Sequence, residues 1–324
     1  MKNILFLICI VLFIGCKTEE LQPVNTLYGV LMNYNGPYQD SKAADSIVSI
    51  DLSSKKSLRV ANAKAFPGLG DIKLYARSIK KNVYIYKSSI ALSDIGLIDL
   101  PGLKYNSIAL NNDNISNVLA LHVDELENMI YAIIISYNEN TRSNWLGLLP
   151  LDLSTKKSNQ KIDIKEIDTQ YIQNILTYTL IASEIDYTNK RIFIKLPVTN
   201  ELIIYNYKSK EIQTREMKQT MFDLHYNSNT KCLFGSGDSE GFGLFEYSLI
   251  DNVTKRIGSY SNIELIAQNS FYYDKLENSY WISAYMNYDI YGKLYKINMS
   301  DASVKDSMTI NGPFLLHKRI DYIN

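Results

Sequence analysis

One short pattern recurs six times along the chain: an apolar residue, a short polar residue and a second apolar residue. The copies are centred on Asp51, Asp99, Asp152, Asn206, Ser248 and Asn298. Alternation of this kind predicts the end of a β-strand, and a short polar side chain there can bond to the backbone of the turn that follows. Successive copies are 42 to 54 residues apart, which is the length of one four-stranded propeller blade. The repeat therefore predicts an all-β propeller.

A second repeated unit precedes five of the six copies of the first. Residues 123–130 align without gaps with residues 185–192, 226–233 and 273–280, and more loosely with 77–84. The unit predicts an innermost strand, a tight turn and a second strand. The first blade lacks such a unit, but Asp321 follows Asp274 by 47 residues, the interval that also separates Asn227 from Asp274. We therefore expect residues 314–322 to supply the innermost strand of the first blade and to close the ring.

The fold predicted from these repeats is an all-β, six-bladed β-propeller of four-stranded blades, forming one domain over residues 27–324. The expected blades are 27–62 with 313–324, 70–112, 116–164, 178–216, 218–260 and 264–310. Ile164, Ile167, Tyr171 and Ile175 have helical spacing. A short helix, an ordered loop or an irregular surface insertion is therefore expected within residues 163–177.

These degenerate repeats resemble the six-bladed propellers of the TolB-like and NHL-like kind found in bacterial lipoproteins. The resemblance covers nearly all of residues 27–324. It implies the fold and the binding of ligands at the mouth of the ring, but not a particular chemistry.

The first residues have the pattern of a targeting signal. Lys2 precedes an uncharged apolar run over residues 4–14 that is too short to span a bilayer as a helix. The run 12–16 resembles a bacterial lipobox, so residues 1–15 are expected to be a lipoprotein signal peptide and Cys16 the lipidated residue. A plain secretory signal or an uncleaved anchor is the alternative.

Residues 16–26 are expected to be a lipidated cysteine and flexible tether. Residues 17–20 resemble the acidic export tag of surface lipoproteins in the Bacteroidetes group. The resemblance implies an outer-membrane lipoprotein that is exposed on the cell surface, or otherwise faces the periplasm.

The charge balance and the cysteines exclude some functions. The chain has 34 basic and 34 acidic residues and no long basic run, so nucleic acid is not expected as a partner. Only Cys232 remains beyond the signal and Cys16, so stability is expected from packing, with Cys232 a small buried hydrophobe.

The loops between second and third strands are rich in Asn, Asp, Gly and Tyr. Aromatic rings beside carboxylates and amides suit sugars and polar peptides, although turn chemistry alone also predicts this composition. The ligand-binding candidates are Tyr34, Tyr38, Tyr137, Trp145, Asp238, Tyr288 and Tyr291.

A further set of polar residues lies two positions before the end of each innermost strand. Its members are His122, Glu184, His225, Tyr272 and Arg319, with Ala76 at the sixth position. His122, Glu184 and His225 have the side chains that a metal such as zinc, or a general base, requires. The alternative is a polar channel lining or hydrogen bonds between blades. No cofactor is expected, calcium and zinc being the candidates if a metal binds.

We expect a membrane-anchored, non-catalytic propeller that binds a glycan, a peptide or an outer-membrane protein partner at the mouth of the ring. The alternative is an enzyme, a metal-dependent lactonase or hydrolase with its site at the channel entrance. A third class is a structural subunit of an outer-membrane assembly, which would expose an apolar patch on one flank.

Overall fold

The computed structural model describes residues 26–31, 46–62, 72–78, 80–88, 93–100, 102–110, 114–168, 181–197, 199–238, 241–260, 263, 271–274, 278–285, 292–310 and 314–316. These residues form 25 β-strands joined by turns. They include no helix long and apolar enough to cross a membrane.

The strands divide into six antiparallel sheets. One sheet contains both ends of the described chain, in the order β25 (Phe314–Leu316), β1 (Thr26–Leu31), β2 (Ser46–Asp51) and β3 (Lys56–Asn62). The next contains β4 (Ile72–Ser78), β5 (Val83–Ser88), β6 (Asp94–Asp99) and β7 (Lys104–Ala109). The third contains β8 (Ile115–Asp124), β9 (Met129–Asn138), β10 (Ser143–Asp152), β11 (Lys157–Ser158) and β12 (Ile162–Ile167).

The remaining three sheets also follow the order of the sequence. One contains β13 (Ala182–Asp186), β14 (Arg191–Lys195), β15 (Glu201–Asn206) and β16 (Ile212–Glu216). The next contains β17 (His225–Asn227), β18 (Cys232–Asp238), β19 (Phe242–Ser248) and β20 (Val253–Ser259). The last contains β21 (Phe271–Asp274), β22 (Ser279–Tyr285), β23 (Gly292–Asn298) and β24 (Val304–Ile310).

The number of four-stranded blades differs from the prediction. Five of the sheets have four strands each and are the four-stranded blades of a propeller, whereas the β8–β12 sheet has five strands. The prediction of six four-stranded blades is therefore corrected to five, with one further sheet of a different build.

Pro150 explains the extra strand. The carbonyl of Pro150 accepts a hydrogen bond from Asn159 N, so the backbone groups of Pro150 point to the edge of β10 where the outermost strand pairs. Proline has no N–H to donate on that face, and proline in sheets is found beside edges and bulges. The outermost position is accordingly interrupted: β11 pairs with Leu151 and Asp152, and β12 pairs with residues 144–148.

The last described strand lies beside the first, as predicted. In β25, Leu315 pairs with Val30 and Leu316 pairs with Gly29. The prediction that the tail of the chain completes the sheet of its head is therefore confirmed for residues 314–316. Residues 317–324, which include Arg319 and Asp321, lie outside the described residues.

Turns at one end of the sheets are stabilised by polar residues that the repeat identified. Asp51, Asp152 and Asn206, for example, each accept hydrogen bonds from the backbone N–H groups two and three residues later. A hydrogen bond from the Ser53 hydroxyl, followed by these backbone bonds, holds the pKa of Asp51 down at about 2. The short polar residue thus acts by fixing the turn.

The turns share a second feature that is a property of the backbone. All twelve described non-glycine residues with positive φ lie four residues after such a polar strand-end residue. They are Lys55, Asn82, Leu103, Asn128, Arg142, Lys156, Lys190, Lys210, Lys231, Asn252, Asn278 and Ala302. Left-handed backbone at the last turn residue matches a four-residue hairpin loop built on a type I turn.

The hydrophobic core lies between the sheets. One cluster joins the β8–β12 and β13–β16 sheets, a second the β4–β7 and β8–β12 sheets, and a third the β17–β20 and β21–β24 sheets. Two others join β13–β16 with β17–β20, and Ile50 with β21–β24. Cys232 is a free buried cysteine of the third cluster, as predicted. Stacking of successive sheets in this way is the packing of a propeller.

The helical interpretation of residues 163–177 is wrong for its described part. Residues 162–167 form strand β12, in which Ile164 and Ile167 are buried against the β13–β16 sheet. Pairing with β10 explains the difference, because tertiary context overrides a short helical spacing. Tyr171 and Ile175 lie outside the described residues.

Candidate functional site

His122, Glu184 and His225 occupy equivalent positions on three successive innermost strands, β8, β13 and β17. Each contacts the next sheet. His122 Nε2 lies 2.9 Å from Ser183 Oγ, and Glu184 Oε2 lies 3.5 Å from His225 Nδ1. Residues at equal register thus form polar contacts between neighbouring sheets at these positions.

His225 is held between two carboxylates. Its Nε2 lies 2.6 Å from Asp223 Oδ2, on the side of the ring opposite to Glu184. The ring therefore lies between a carboxylate of the preceding sheet and a carboxylate of the segment that leads into its own strand.

Asp223 is the centre of a buried polar cluster, formed by Glu184, Asp223, His225, Ser236, Tyr260 and Tyr280. Asp223 Oδ1 accepts from Ser236 N at 2.7 Å, and Asp223 Oδ2 accepts from the Tyr280 hydroxyl at 2.5 Å. Ser236 Oγ lies 3.1 Å from Tyr260 Oη and 3.0 Å from Tyr280 Oη. Burial raises the pKa of both tyrosines well above the usual value.

Two glycines bring Asp223 to this position. A Cβ on Gly235 would lie 2.1 Å from Asp223 O, and one on Gly237 would lie 2.4 Å from Thr220 O. Only glycine in β18 leaves room for the preceding segment to lie against the strand. Residues 235–238 form the end of β18.

Most of the buried polar cluster is shielded from solvent, although the Glu184 side chain is partly exposed. Only 4% of His225 is exposed, and Ser236 is fully buried. Among the residues that the structure describes, no group of three or more His, Cys, Asp or Glu side chains could hold a metal ion. His122 lies apart from the cluster, at Ser183. The described geometry thus suits fixed hydrogen bonds between sheets.

Tyr272 does not line a polar channel. It is almost fully buried in an apolar cluster with Ile50, Trp281, Leu294 and Met308. Ala76, at the same register, is also buried. Arg319, the remaining member of the predicted ring, lies outside the described residues.

Tyr137 and Trp145 lie on neighbouring strands at the tip of the β9–β10 hairpin. In the register of this hairpin Tyr137 pairs with Asn144, and Trp145 pairs with Ser136. Paired residues share a face of a sheet and successive residues alternate, so the two aromatic side chains lie on opposite faces. Tyr137 is 39% exposed, and Trp145 Nε1 donates to Ser143 Oγ at 3.0 Å. They offer two separate contact points.

Asp238 fixes its own turn, since its Oδ1 accepts a hydrogen bond from Gly241 N at 3.1 Å. Its side chain is exposed at the end of β18. The candidates Tyr34, Tyr38, Tyr288 and Tyr291, and the lipidation candidate Cys16, lie outside the described residues.

Lys195 is a buried cation that the sequence analysis missed. Its Nζ donates to the carbonyl of Leu196 at 3.0 Å and to that of Thr199. Burial lowers the pKa of Lys195 to about 8, and the charge of Glu201 opposes that shift. A lysine at the end of a strand is normally predicted to be exposed, so no local sequence signal could have identified the burial of Lys195.

The described residues therefore define an all-β propeller with four-stranded blades, in which polar residues of the innermost strands join one sheet to the next. No known family pattern matches the chain. No curated protein matches it either.

Solved structures share the fold. TolB from Acinetobacter baumannii is similar with a TM-score of 0.61 at 10% identity, over 91% of this chain and 67% of that chain. A chain of a nidogen–laminin complex has a TM-score of 0.56 at 8% identity, over 90% and 97%. A candidate 6-phosphogluconolactonase from Bacteroides uniformis has 0.52 at 9% identity, over 90% and 100%. At these identities the likeness concerns the fold alone.

Proposed function

We propose that the protein is a non-catalytic binding module that captures a glycan, a peptide or a protein partner on the face where second strands turn into third strands. The observation that supports this proposal is that the residues best suited to catalysis or metal binding are occupied by contacts between sheets. His122, Glu184 and His225 are used in contacts between sheets, and most of the buried polar cluster is shielded from solvent. A buried network whose members contact one another across sheets favours a structural role over turnover.

The β9–β10 hairpin supports the choice of face. Both strands have ten residues, whereas the second and third strands of the other sheets have five to seven. Three extra residues correspond to about 10 Å of strand. A projecting hairpin with Tyr137 exposed at its tip suits contact with a large ligand.

We also propose that the ring has six blades, the β8–β12 sheet taking the sixth place. Its five strands fill four positions, because β11 and β12 share the outermost one. Its core is shared with the β4–β7 sheet on one side and with the β13–β16 sheet on the other. These contacts suit a member of the ring.

Residues 1–15 are proposed to be a signal peptide and Cys16 the lipid-bearing residue of an outer-membrane protein, exposed on the surface or facing the periplasm. The support is the sequence pattern around Cys16. Incorporation of a labelled fatty acid into the wild-type chain, and not into a Cys16→Ser variant, is the expected result. Equal labelling of both would overturn the anchor.

The binding function is tested by a thermal-shift screen of the purified protein against oligosaccharides, peptides and divalent metals. A ligand that binds only the folded state raises the melting temperature. Any ligand found is then tested on a variant with Tyr34, Trp145 and Tyr288 replaced by alanine. Unchanged binding of the ligand by that variant would overturn the proposal that this face of the ring is the binding site.

Metal binding distinguishes the proposed binding module from the alternative, a metal-dependent lactonase or hydrolase. Stoichiometric zinc or calcium in the purified protein, lost on His122→Ala, would favour a metal-dependent hydrolase. The similarity to the candidate 6-phosphogluconolactonase does not bear on this choice, because it concerns the fold alone.

A further inference from the structure

Strand β16 forms the outer edge of the β13–β16 sheet, and one set of its backbone groups points away from the sheet. Met217 N donates to Asn200 O, and Asn206 N donates to Glu211 O, so the odd-numbered residues bond inward to β15. The even-numbered residues Ile212, Thr214 and Glu216 therefore point outward. Among the described residues, only Glu216 O is engaged on this side, by the Tyr247 hydroxyl at 3.2 Å.

The outward side of β16 lacks one common protection of an edge strand, a lysine side chain. Lysine within an outer strand hinders pairing with another chain. Each of the other outer strands contains a lysine, namely Lys56, Lys104, Lys157, Lys165, Lys255 and Lys305. β16 contains none, and its Ile212 is 47% exposed.

A groove of about 940 Å³ runs beside this edge, between β16 and the β17–β20 sheet. Its charged lining consists of Arg215, Lys218 and Arg256 against the single acid Glu216. Arg215 is held by neutral oxygens, since its guanidinium donates to Leu249 O and, at 2.7 Å, to Asn252 Oδ1. The pair of Lys218 and Glu216, 3.7 Å apart with Lys218 78% exposed, is weak. The groove therefore favours an anionic occupant.

We propose that the edge of β16 is a docking site for an extended acidic peptide, which adds as a further strand to the β13–β16 sheet. The backbone groups of Ile212 and Thr214 supply hydrogen bonds that do not depend on sequence. The cationic lining selects acidic side chains over basic ones. This site is separate from the mouth of the ring and does not depend on the proposed function.

The chain offers a matched pair of variants for the test. Thr214→Pro removes an outward N–H without breaking a bond to β15, because proline is tolerated where the N–H faces away from the sheet. Ser107 occupies the equivalent position in the outer strand β7, since Leu110 N donates to Ser93 O and the odd-numbered residues of β7 point outward. Ser107→Pro is therefore the control, and equal melting temperatures establish that both variants fold.

The probe is a fluorescein-labelled peptide of four Glu-Thr repeats, measured by fluorescence anisotropy at low ionic strength with the purified protein. We expect Thr214→Pro and Lys218→Glu each to weaken binding about fivefold or more, the effect of losing one hydrogen bond or one charge contact. Ser107→Pro and Lys104→Glu should leave binding unchanged. A Lys-Thr peptide should bind far more weakly.

A second measurement keeps the proposal testable if Thr214→Pro does not fold. The same acidic peptide with alternate backbone amides methylated should bind at least about fivefold more weakly, because it cannot complete the ladder. Equal binding of the methylated peptide would overturn strand addition and indicate a charge contact alone. Binding that is absent, or that survives both Thr214→Pro and Lys218→Glu, would overturn the site.

Discussion

Lys190 Nζ lies 2.9 Å from Asp124 Oδ2, so a cation of the β13–β16 sheet is held against a carboxylate of the preceding sheet. Asp124 is fully buried and also accepts from the Tyr207 hydroxyl at 2.7 Å. Burial, followed by the hydrogen bond to Asp124, raises the pKa of Tyr207. Burial opposes ionisation of Lys190, but hydrogen bonds to Glu127 and Asp124 raise its pKa nevertheless.

Asp124→Ala is expected to destabilise the protein strongly. The change leaves the Tyr207 hydroxyl without its buried acceptor and Lys190 with only the exposed carboxylate of Glu127, and breaking a buried ion pair from one side costs roughly 3 kcal/mol or more. Urea denaturation measures the loss. Asp306→Ala is the control, since Asp306 and Lys55 form an exposed pair, and it should cost about 1 kcal/mol at most. Equal losses for the two variants would contradict the prediction.

Lys195 predicts a dependence of stability on pH. Its pKa falls from 10.5 to about 8 on folding, so between these values the unfolded chain binds more protons and stability rises with pH. Between pH 8 and 10 the gain is about 2 kcal/mol for this group. The buried tyrosines act in the opposite sense above pH 10, so the comparison is made with Lys195→Met. Wild-type protein should gain stability relative to this variant over that range, and a constant difference would refute the shift.

Leu103 predicts a stabilising substitution. It has a φ of 50° at the last position of its turn and is largely exposed. Asparagine tolerates left-handed backbone better than leucine, so Leu103→Asn should stabilise the protein by about 1 kcal/mol. Leu126 is an exposed leucine outside the positive-φ set, and Leu126→Asn should have little effect. Thermal melting measures both. The strain argument fails if the two variants behave alike.

The pairing of Val30 with Leu315 predicts a cross-link. Paired residues of antiparallel strands have Cα atoms about 4.5 to 5.5 Å apart, within the range of a disulfide. A variant with Val30→Cys and Leu315→Cys should oxidise to an intramolecular disulfide, detected by mass and by gel mobility. Ser46→Cys with Leu315→Cys is the control, because β2 and β25 lie on opposite sides of β1. Oxidation of the control instead would contradict the observed register.

Sequence alone was sufficient for features that arise locally or from spacing. Asp51 and Asn206 fix turns through bonds to their own neighbours, so their role is visible in a few residues. The place of β25 followed from the 47-residue interval. Asp223, by contrast, lies outside both repeated units and meets Tyr280, 57 residues later, only after two sheets stack. No local pattern records such a contact.

The repeat correctly predicted which residues occupy equivalent positions on the innermost strands, but it did not predict which residues pack around them. His225 and Tyr272 have the same position in successive sheets, yet His225 meets two carboxylates while Tyr272 meets Ile50 and Trp281. The difference comes from the neighbouring sheet, which the repeat does not specify. The five-stranded sheet was also missed, although Pro150 in a predicted strand was a usable signal.

The positive-φ residues have a consequence for how this protein can change. Among the described residues, eleven of the twelve lie in turns at one end of the sheets, and Arg142 lies at the other end. Each of these eleven reversals is specified by a few adjacent residues, so that end can tolerate wide drift elsewhere in the chain without losing its shape. Replacing one of these polar strand-end residues should accordingly disturb its own turn and leave the other turns intact.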